Sequence, residues 1–308
     1  MPIPKQYTIP LVYLTSFLFL FGETLQPAPR IAIYESIVCQ QYYGHSQEPG
    51  DGKWNGEFDC KIAPVQQELV FLGGIERLSI IIPSILAIPF AALADRYGHS
   101  LILAIAIFGV FLEDGWPYVV CWWPDIFPIR LIWLHFIFSC VGGGFTVVVT
   151  LLHVIIADVV SAEERTKVFF RGRAAGVGAS ILGYAAGGFM MRISTFLPWS
   201  VGLGCLVVGT TTAAMIPRMT VQDHSPDAGY GKESQTWSVA SSVRALRNIA
   251  ELFVGNKQVL AMLILVFFCQ LGYDSVPLML AIYVSKRFGW EFSDVSYTIA
   301  SCLQLAGD

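Results

Sequence analysis

Leu93-Ala94-Asp95-Arg96-Tyr97-Gly98-His99 forms a hydrophilic junction between two apolar runs, over residues 69–94 and 101–123. An α-helix needs about 20 largely apolar residues to cross the hydrocarbon core of a bilayer, and both runs reach that length. The junction therefore predicts a short turn between two membrane-spanning helices. In such a turn Gly98 can adopt the left-handed conformation that reverses the chain, and Asp95 can hydrogen-bond a helix end.

The composition of the whole chain agrees with a membrane environment. Of its 308 residues, 55% are hydrophobic and 14% are charged, and the mean hydropathy is +0.59. Water does not solvate such a chain as one globule, so the lipid bilayer is the expected surrounding. The net charge of −4 and the pI near 5.7 are too mild to predict a nucleic-acid partner.

Seven complete apolar runs predict membrane spans, and an eighth begins near Val295 and is unfinished at Asp308. The fold expected from them is an all-α membrane protein. The seven runs are Thr8–Val38, Leu69–Ala94, Leu101–Trp123, Leu131–Ala157, Gly172–Met191, Trp199–Ile216 and Gln258–Val284.

The first run is interpreted as a span and not as a signal peptide. Lys5 precedes it, but the run is longer than the apolar region of a signal peptide and no small-residue cleavage site follows. Basic residues are more frequent in the segments on the side of the N-terminus, which predicts a cytoplasmic N-terminus. The expected location is the plasma membrane, with a vacuolar or other internal membrane as the alternative.

Two long polar segments divide the chain. Residues 1–216 predict a six-helix transmembrane bundle, in which residues 39–68 form a loop on the outer or lumenal side. Residues 217–257 predict a cytoplasmic linker, whose portion from Trp237 to Phe253 has the spacing of an amphipathic helix. Residues 258–308 then predict an incomplete C-terminal bundle, with the seventh span and part of the eighth.

Cys39 and Cys60 both belong to the predicted outer loop. That compartment is oxidising, so the two thiols can form a disulfide there. Two free thiols are the equally weighted alternative.

The junction at Asp95 resembles a motif of the major facilitator superfamily, usually written L-x-D-R-x-G-R. The segment from Ala157 to Arg165, with Asp158 near its start, resembles the partial repeat of that motif between spans four and five. The overall arrangement is similar to fungal members of the superfamily. The resemblance implies that Asp95, Arg96, Gly98, Asp158 and Arg165 form a conformational motif that controls alternating access.

This sequence departs from the family pattern in three respects. His99 stands where the motif usually has Arg or Lys, which predicts a weaker charge relay. Tyr184 stands where the antiporter motif of span five has Pro, which weakens an antiport interpretation. Full members have twelve spans in two halves, so this chain is expected to be truncated after the start of the eighth span.

Helix one contains the strongest candidates for a substrate or proton pathway. An ionisable side chain in hydrocarbon costs roughly 2.5–3.5 kcal/mol, so those that persist usually face a cavity or a partner. Pro27 and Pro29 predict a break in the helix, and transporters build binding sites at such breaks. The alternative is that Glu23 and Arg30 pair with each other or with Glu76 and Arg77 to hold helices together. The polar residues that share one helical face are Glu23, Gln26, Arg30 and Tyr34.

The seventh predicted span adds Gln270, Tyr273 and Asp274 to the candidate pathway. In a folded transporter of this family the seventh helix packs beside helix one, so Asp274 would face Arg30 or a bound proton. The alternative is a solvated Asp274 at the outer surface. His135 and His153 in the fourth span are either proton carriers or packing residues.

Enzyme motifs are absent from the sequence. It contains no P-loop, G-x-S-x-G turn, H-E-x-x-H pair or paired C-x-x-C. We therefore expect no enzymatic activity, no metal site and no cofactor.

Two functions follow from these observations. The first is secondary active transport of a small organic solute by alternating access, with a proton (H+) as the candidate coupling ion. The second is a non-transporting truncated membrane protein that binds another membrane chain. Alternating access requires two halves around a shared site, so the first function needs either a homodimer or the missing C-terminal half.

Overall fold

The computed structural model describes residues 7–46, 59–79, 81–161, 163–217, 258, 260–262, 264–265, 268 and 282–306. The chain forms two compact units. The first comprises Met1–Thr220 with Val284–Asp308, and the second comprises Val221–Tyr283. In the second unit the described positions between 258 and 268 are helical, and the predicted linker over 217–257 lies almost entirely outside the described residues.

The first unit is built from α-helices, joined by a 3₁₀ helix at Ile129–Leu134. The helices are α1 (Thr8–Leu25), α2 (Pro27–Ser46), α3 (Ala63–Ser79), α4 (Ile81–Tyr97), α5 (His99–Trp122), α6 (His135–Ser139), α7 (Gly144–Val159), α8 (Arg165–Met191), α9 (Leu197–Met215) and α10 (Phe292–Ala306).

Within the described residues, five helical stretches are long and apolar enough to cross a membrane. They are Thr8–Gly44, His99–Trp122, Ile129–Val159, Arg165–Met191 and Leu197–Met215, and they correspond to predicted spans one, three, four, five and six. The second predicted span falls on α3 and α4. The seventh falls mostly outside the described residues, and the start of the eighth falls in α10.

The first span consists of two helices that meet at Gln26. Pro27 has no backbone N–H and begins α2, while the Gln26 N–H donates to the Glu23 carbonyl at 3.5 Å. The Arg30 N–H then donates to the Gln26 carbonyl at 3.0 Å. The break predicted from the two prolines is present, and it places polar side chains on either side of it.

Gly98 precedes α5 with φ 97° and ψ 137°. The positive φ agrees with the prediction, but ψ differs from the roughly +47° of a left-handed helical residue. The prediction of a left-handed helical conformation is therefore wrong, since Gly98 has its positive φ but not its ψ. Glycine suits this position because side-chain-bearing residues rarely adopt such a φ.

The fourth span is discontinuous, whereas the sequence predicted one continuous helix. Gly143 and Gly144 have φ values of 79° and 73°, which interrupt the helix before α7. A Cβ atom added at Gly142 would lie 2.5 Å from the Ala106 Cα, so α5 approaches this break closely. The glycines thus combine a change of chain direction with tight helix packing.

Helix α5 lies at the centre of the first unit and packs against α7 and α9, while α1 packs against α8 and α9. Its buried residues Leu103 and Ile107 belong to a core that includes Phe19, Val148 and Leu206. Helix α10 packs on α8 and α2. The C-terminal helix therefore contacts the N-terminal bundle directly.

Candidate functional site

Charged side chains meet around Arg30, one turn beyond the start of α2. The guanidinium nitrogens lie 2.8 Å from Glu76 Oε1 and 2.5 Å from Asp114 Oδ1. Glu76 comes from α3 and Asp114 from α5, so Arg30 joins three helices. Gln26 Nε2 at the helix break donates to Asp114 Oδ2 at 3.1 Å.

This cluster is removed from solvent by the packing of the bundle. Gln26 is 2% exposed and Asp114 is 7% exposed. The indole ring of Trp199, itself fully buried, lies 5.1 Å from the Arg30 guanidinium carbon. A cation over an aromatic face is stabilised by the ring quadrupole, most strongly when desolvated. Trp199 therefore covers the charged group and also stabilises its charge.

Glu23 differs from the other acids of the cluster because one of its carboxyl oxygens, Oε1, is buried without a hydrogen-bond partner among the described residues. The carboxyl group interacts with that of Asp114, and Glu113 and Arg30 are its further charged neighbours. Ionised carboxylates only accept hydrogen bonds, so two adjacent carboxyl groups attract each other only when one is protonated.

The charges of the cluster do not cancel when all groups are ionised. Glu23, Glu76 and Asp114 provide three carboxyl groups, while Arg30 provides one cation. An unpaired charge away from water is costly. A proton or a cationic ligand at Glu23 and Asp114 would lower that cost. The arrangement is thus chemically suited to bind a cation.

The structure brings together Glu23, Gln26 and Arg30, three of the pathway residues predicted from the sequence. Arg30 also pairs with Glu76, as expected from the alternative in which these charges hold helices together. Sequence reasoning missed Asp114. Two adjacent acids, Glu113 and Asp114, inside an apolar run were the signal that could have revealed it. The other predicted pathway residues, Gln270, Tyr273 and Asp274, lie outside the described residues.

The two motif turns meet at His99, the first residue of α5. Its Nε2 lies 3.3 Å from Asp95 Oδ1, and its Nδ1 lies 3.1 Å from Asp158 Oδ2. His99 is 4% exposed, although both aspartates are partly exposed. The sequence interpretation treated His99 only as a weakening substitution, whereas the structure places it between the two turns.

The remaining motif residues flank this contact. The Arg96 guanidinium lies 5.4 Å from the ring of Tyr97, and Arg165 is the first residue of α8. The Arg165 N–H donates to the Ser161 carbonyl at 3.1 Å. Both arginines therefore stand at helix ends beside the turns.

At the opposite end of α2, a disulfide joins Cys39 and Cys60, whose Cα atoms are 5.4 Å apart. The adjacent Lys61 donates to both Glu35 carboxylate oxygens at 2.8 Å and to Ser285 Oγ at 2.7 Å. Gln66 Nε2 donates to Glu35 Oε1 at 2.5 Å. The Cys60–Lys61 segment is thereby attached to α2 and to Ser285.

Several helices long and apolar enough to span a bilayer, packed around charged side chains at a break in the first span, define a multi-pass membrane protein. The chain belongs to the Major Facilitator Superfamily, which matches residues 13–307.

Several curated fungal proteins are similar to this chain. Efflux pump ustT of Aspergillus flavus is 30% identical over 290 residues, which cover 89% of this chain and 55% of the relative. MFS efflux pump atnC of Emericella nidulans is 29% identical over 88% of this chain and 54% of its own length. MFS-type transporter aprT of Aspergillus flavus is 29% identical over 91% and 56%. The chain thus spans about half the length of the curated relatives it matches.

Proposed function

We propose that this chain acts in secondary active export of a small organic solute by alternating access, with proton coupling through Glu23 and Asp114. The printed names of two similar proteins, both efflux pumps, support the direction of transport. The observation that carries the coupling proposal is the pairing of the Glu23 and Asp114 carboxyl groups, in which the buried Glu23 Oε1 has no hydrogen-bond partner among the described residues.

The proposed coupling follows from the charges of the cluster. When one proton is shared between Glu23 and Asp114, the two carboxyl groups hold α1 and α5 together. When the proton leaves, the two negatively charged carboxylates lie side by side inside the bundle, where their repulsion is only weakly screened. Arg30 contacts Asp114 and Glu76 in the structure, so Glu23 is the group that a cationic solute would neutralise.

The motif turns provide the proposed control of alternating access. The α4–α5 and α7–α8 junctions are held together through His99 by Asp95, Gly98 and Asp158. Positive charge beside these junctions comes from Arg96 and Arg165. Opening on that side would require these contacts to break. Rocking of one half against the other around a fixed site is the general mechanism of such transporters.

Gln270, Tyr273 and Asp274 stay pathway residues predicted from the sequence, and a second copy of this chain or a C-terminal half would complete the shared site. We place the N-terminus in the cytoplasm and the protein in the plasma membrane or a vacuolar or other internal membrane. The lysine and arginine asymmetry of the loops supports that orientation.

Proteoliposomes test the proposed function. The purified chain is reconstituted with a trapped pH-sensitive dye, and tetraphenylphosphonium, benzoate or indole is added as a cationic, anionic or neutral probe under an imposed pH gradient. We expect probe-dependent proton movement in the wild type. Glu23→Gln and Asp114→Asn should each abolish the dependence on the pH gradient.

The matched control is Glu68→Gln, because Glu68 forms its ion pair with Arg130 at the surface, 3.0 Å apart, away from the Arg30 cluster. It should leave proton movement unchanged. Unaltered coupling in both site variants would refute the roles of Glu23 and Asp114. A folded chain that moves none of the probes would favour the non-transporting function, in which the chain binds another membrane protein.

A further inference from the structure

His135 lies between two polar groups from different helices, away from Arg30. It begins α6 and is 3% exposed. Its Nδ1 lies 3.3 Å from Glu113 Oε1 of α5, and its Nε2 lies 2.7 Å from Ser79 Oγ at the end of α3. Both ring nitrogens therefore have a polar partner inside the bundle.

The hydrogen-bond directions determine where the protons lie. The Ser79 hydroxyl donates its hydrogen to the Glu76 carbonyl at 2.6 Å, so toward His135 it can only accept. His135 Nε2 must then carry a hydrogen. The contact between Nδ1 and Glu113 needs one further proton, since a bare ring nitrogen and a carboxylate are both acceptors.

That further proton can reside on either partner. It lies on Nδ1 when the pair is an imidazolium and a carboxylate, or on Glu113 when the pair is a neutral imidazole and a carboxylic acid. In both cases the pair holds one proton between Nδ1 and the Glu113 carboxyl group, which lie 3.3 Å apart. Without it, a negative charge and a lone pair would face each other in a buried position.

The surrounding groups tie this pair to the rest of the bundle. Glu113 adjoins Asp114 in sequence and is a charged neighbour of Glu23. Beyond Ser79, Glu76 carries the ion pair with Arg30 at 2.8 Å. The Cys140 thiol after α6 also lies near Glu113. No cation from the described residues forms an ion pair with Glu113 other than His135 itself.

We propose that Glu113 and His135 form a proton-binding site, distinct from the carboxyl pair of Glu23 and Asp114, that holds one proton jointly. Because the site adjoins Glu23, it offers a second place for a proton in the transport cycle. That use rests on the proposed function, whereas the binding of the proton does not.

Proton counting on the purified chain in detergent micelles tests the proposal without a transport assay. The protons taken up between about pH 8 and pH 5, where imidazole groups titrate, are measured for the wild type, Glu113→Gln, His135→Gln and the double variant. Each single variant should lower the uptake by about one proton, and the double variant should lower it by no more than either single variant.

The control is His153→Gln, because His153 is exposed on α7 and its Nδ1 lies 2.6 Å from the Val149 carbonyl. The loss of proton uptake caused by His153→Gln should add to the loss caused by any variant at Glu113 or His135. Losses from Glu113→Gln and His135→Gln that add in the double variant would show two independent groups and overturn the proposal. Unchanged uptake in Glu113→Gln would overturn it as well.

Glu113→Asp covers the case in which the Gln variant does not fold. It retains a carboxyl group but shortens the side chain, which lengthens the contact with His135. The proton should still bind, at a shifted midpoint, and an unshifted midpoint would contradict the joint site.

Discussion

At the scale of single residues, Arg30 holds the candidate site together. It is the cation that Glu76 and Asp114 share, at 2.8 and 2.5 Å, and its side chain is 19% exposed. Breaking a buried pair is costly because the partner charge is left uncompensated. Arg30 therefore has a structural role in holding α2, α3 and α5 together.

Arg30→Met should destabilise the protein strongly, because two buried carboxyl groups lose their cation. Loss of one partner from a buried ion pair costs about 3–5 kcal/mol. The measurement is thermal unfolding of the purified chain in detergent. Arg130→Met is the control, since the exposed pair of Arg130 with Glu68 belongs to a class worth about 0–1 kcal/mol. Equal losses from the two variants would contradict the assigned role of Arg30.

At the scale of secondary-structure elements, His99 connects two junctions that are far apart in sequence. Asp95 lies in the last turn of α4 and Asp158 in the last turn of α7, and the imidazole ring contacts both. The ring nitrogen Nε2 forms a hydrogen bond with Asp95, whereas Nδ1 faces the Asp158 carboxyl group without a hydrogen-bond partner among the described residues. The imidazole ring therefore connects the α4–α5 and α7–α8 junctions.

His99→Ala should loosen both junctions. We expect amide hydrogen exchange over residues 95–99 and 157–161 to become several-fold faster, because local opening no longer breaks a contact with the imidazole ring. Exchange mass spectrometry of the purified chain measures it, with His153→Ala as the control at an exposed position of α7. His99→Arg should restore slow exchange, because the guanidinium group can reach both aspartates. Equal exchange in wild type and His99→Ala would rule out this connection.

At the scale of the whole molecule, the loop after α2 is attached covalently and ionically. The disulfide closes the chain between Cys39 and Cys60. Lys61, next to it, reaches Glu35 and Ser285 and lies 4.6 Å from the ring of Phe292. The loop thus joins α2 to the segment that leads into α10.

Replacing both cysteines, as in the Cys39→Ser and Cys60→Ser double variant, should lower stability by about 2–4 kcal/mol, because the unfolded chain regains the freedom of the closed loop. It should also speed amide exchange over residues 285–292, since Lys61 is no longer held in place. Thermal unfolding and exchange mass spectrometry measure the two effects. Cys205→Ser, at a free thiol of α9, is the control. Exchange at 285–292 that stays slow would show that Lys61 does not need the disulfide.

The sequence by itself determined the features that depend on short stretches of chain. Membrane spans follow from the transfer of about 20 apolar residues into lipid, and the break before α2 follows from the missing N–H of Pro27. The family membership follows from the junction motif at Asp95. Glu23, Gln26 and Arg30 shared a face because helical periodicity is local.

Only the tertiary structure decided which distant side chains meet. Asp114 lies 84 positions from Arg30 in sequence and His99 lies 59 positions from Asp158, and such pairs depend on the rotation and packing of whole helices. The sequence left two alternatives for Cys39 and Cys60, a disulfide or two free thiols. The disulfide forms because the packing brings Cys39 of α2 close to Cys60. The close approach of α5 to Gly142, beside the interruption at Gly143, likewise depends on helix packing. Helical periodicity orders the side chains on one helix, but helix packing selects their partners on another.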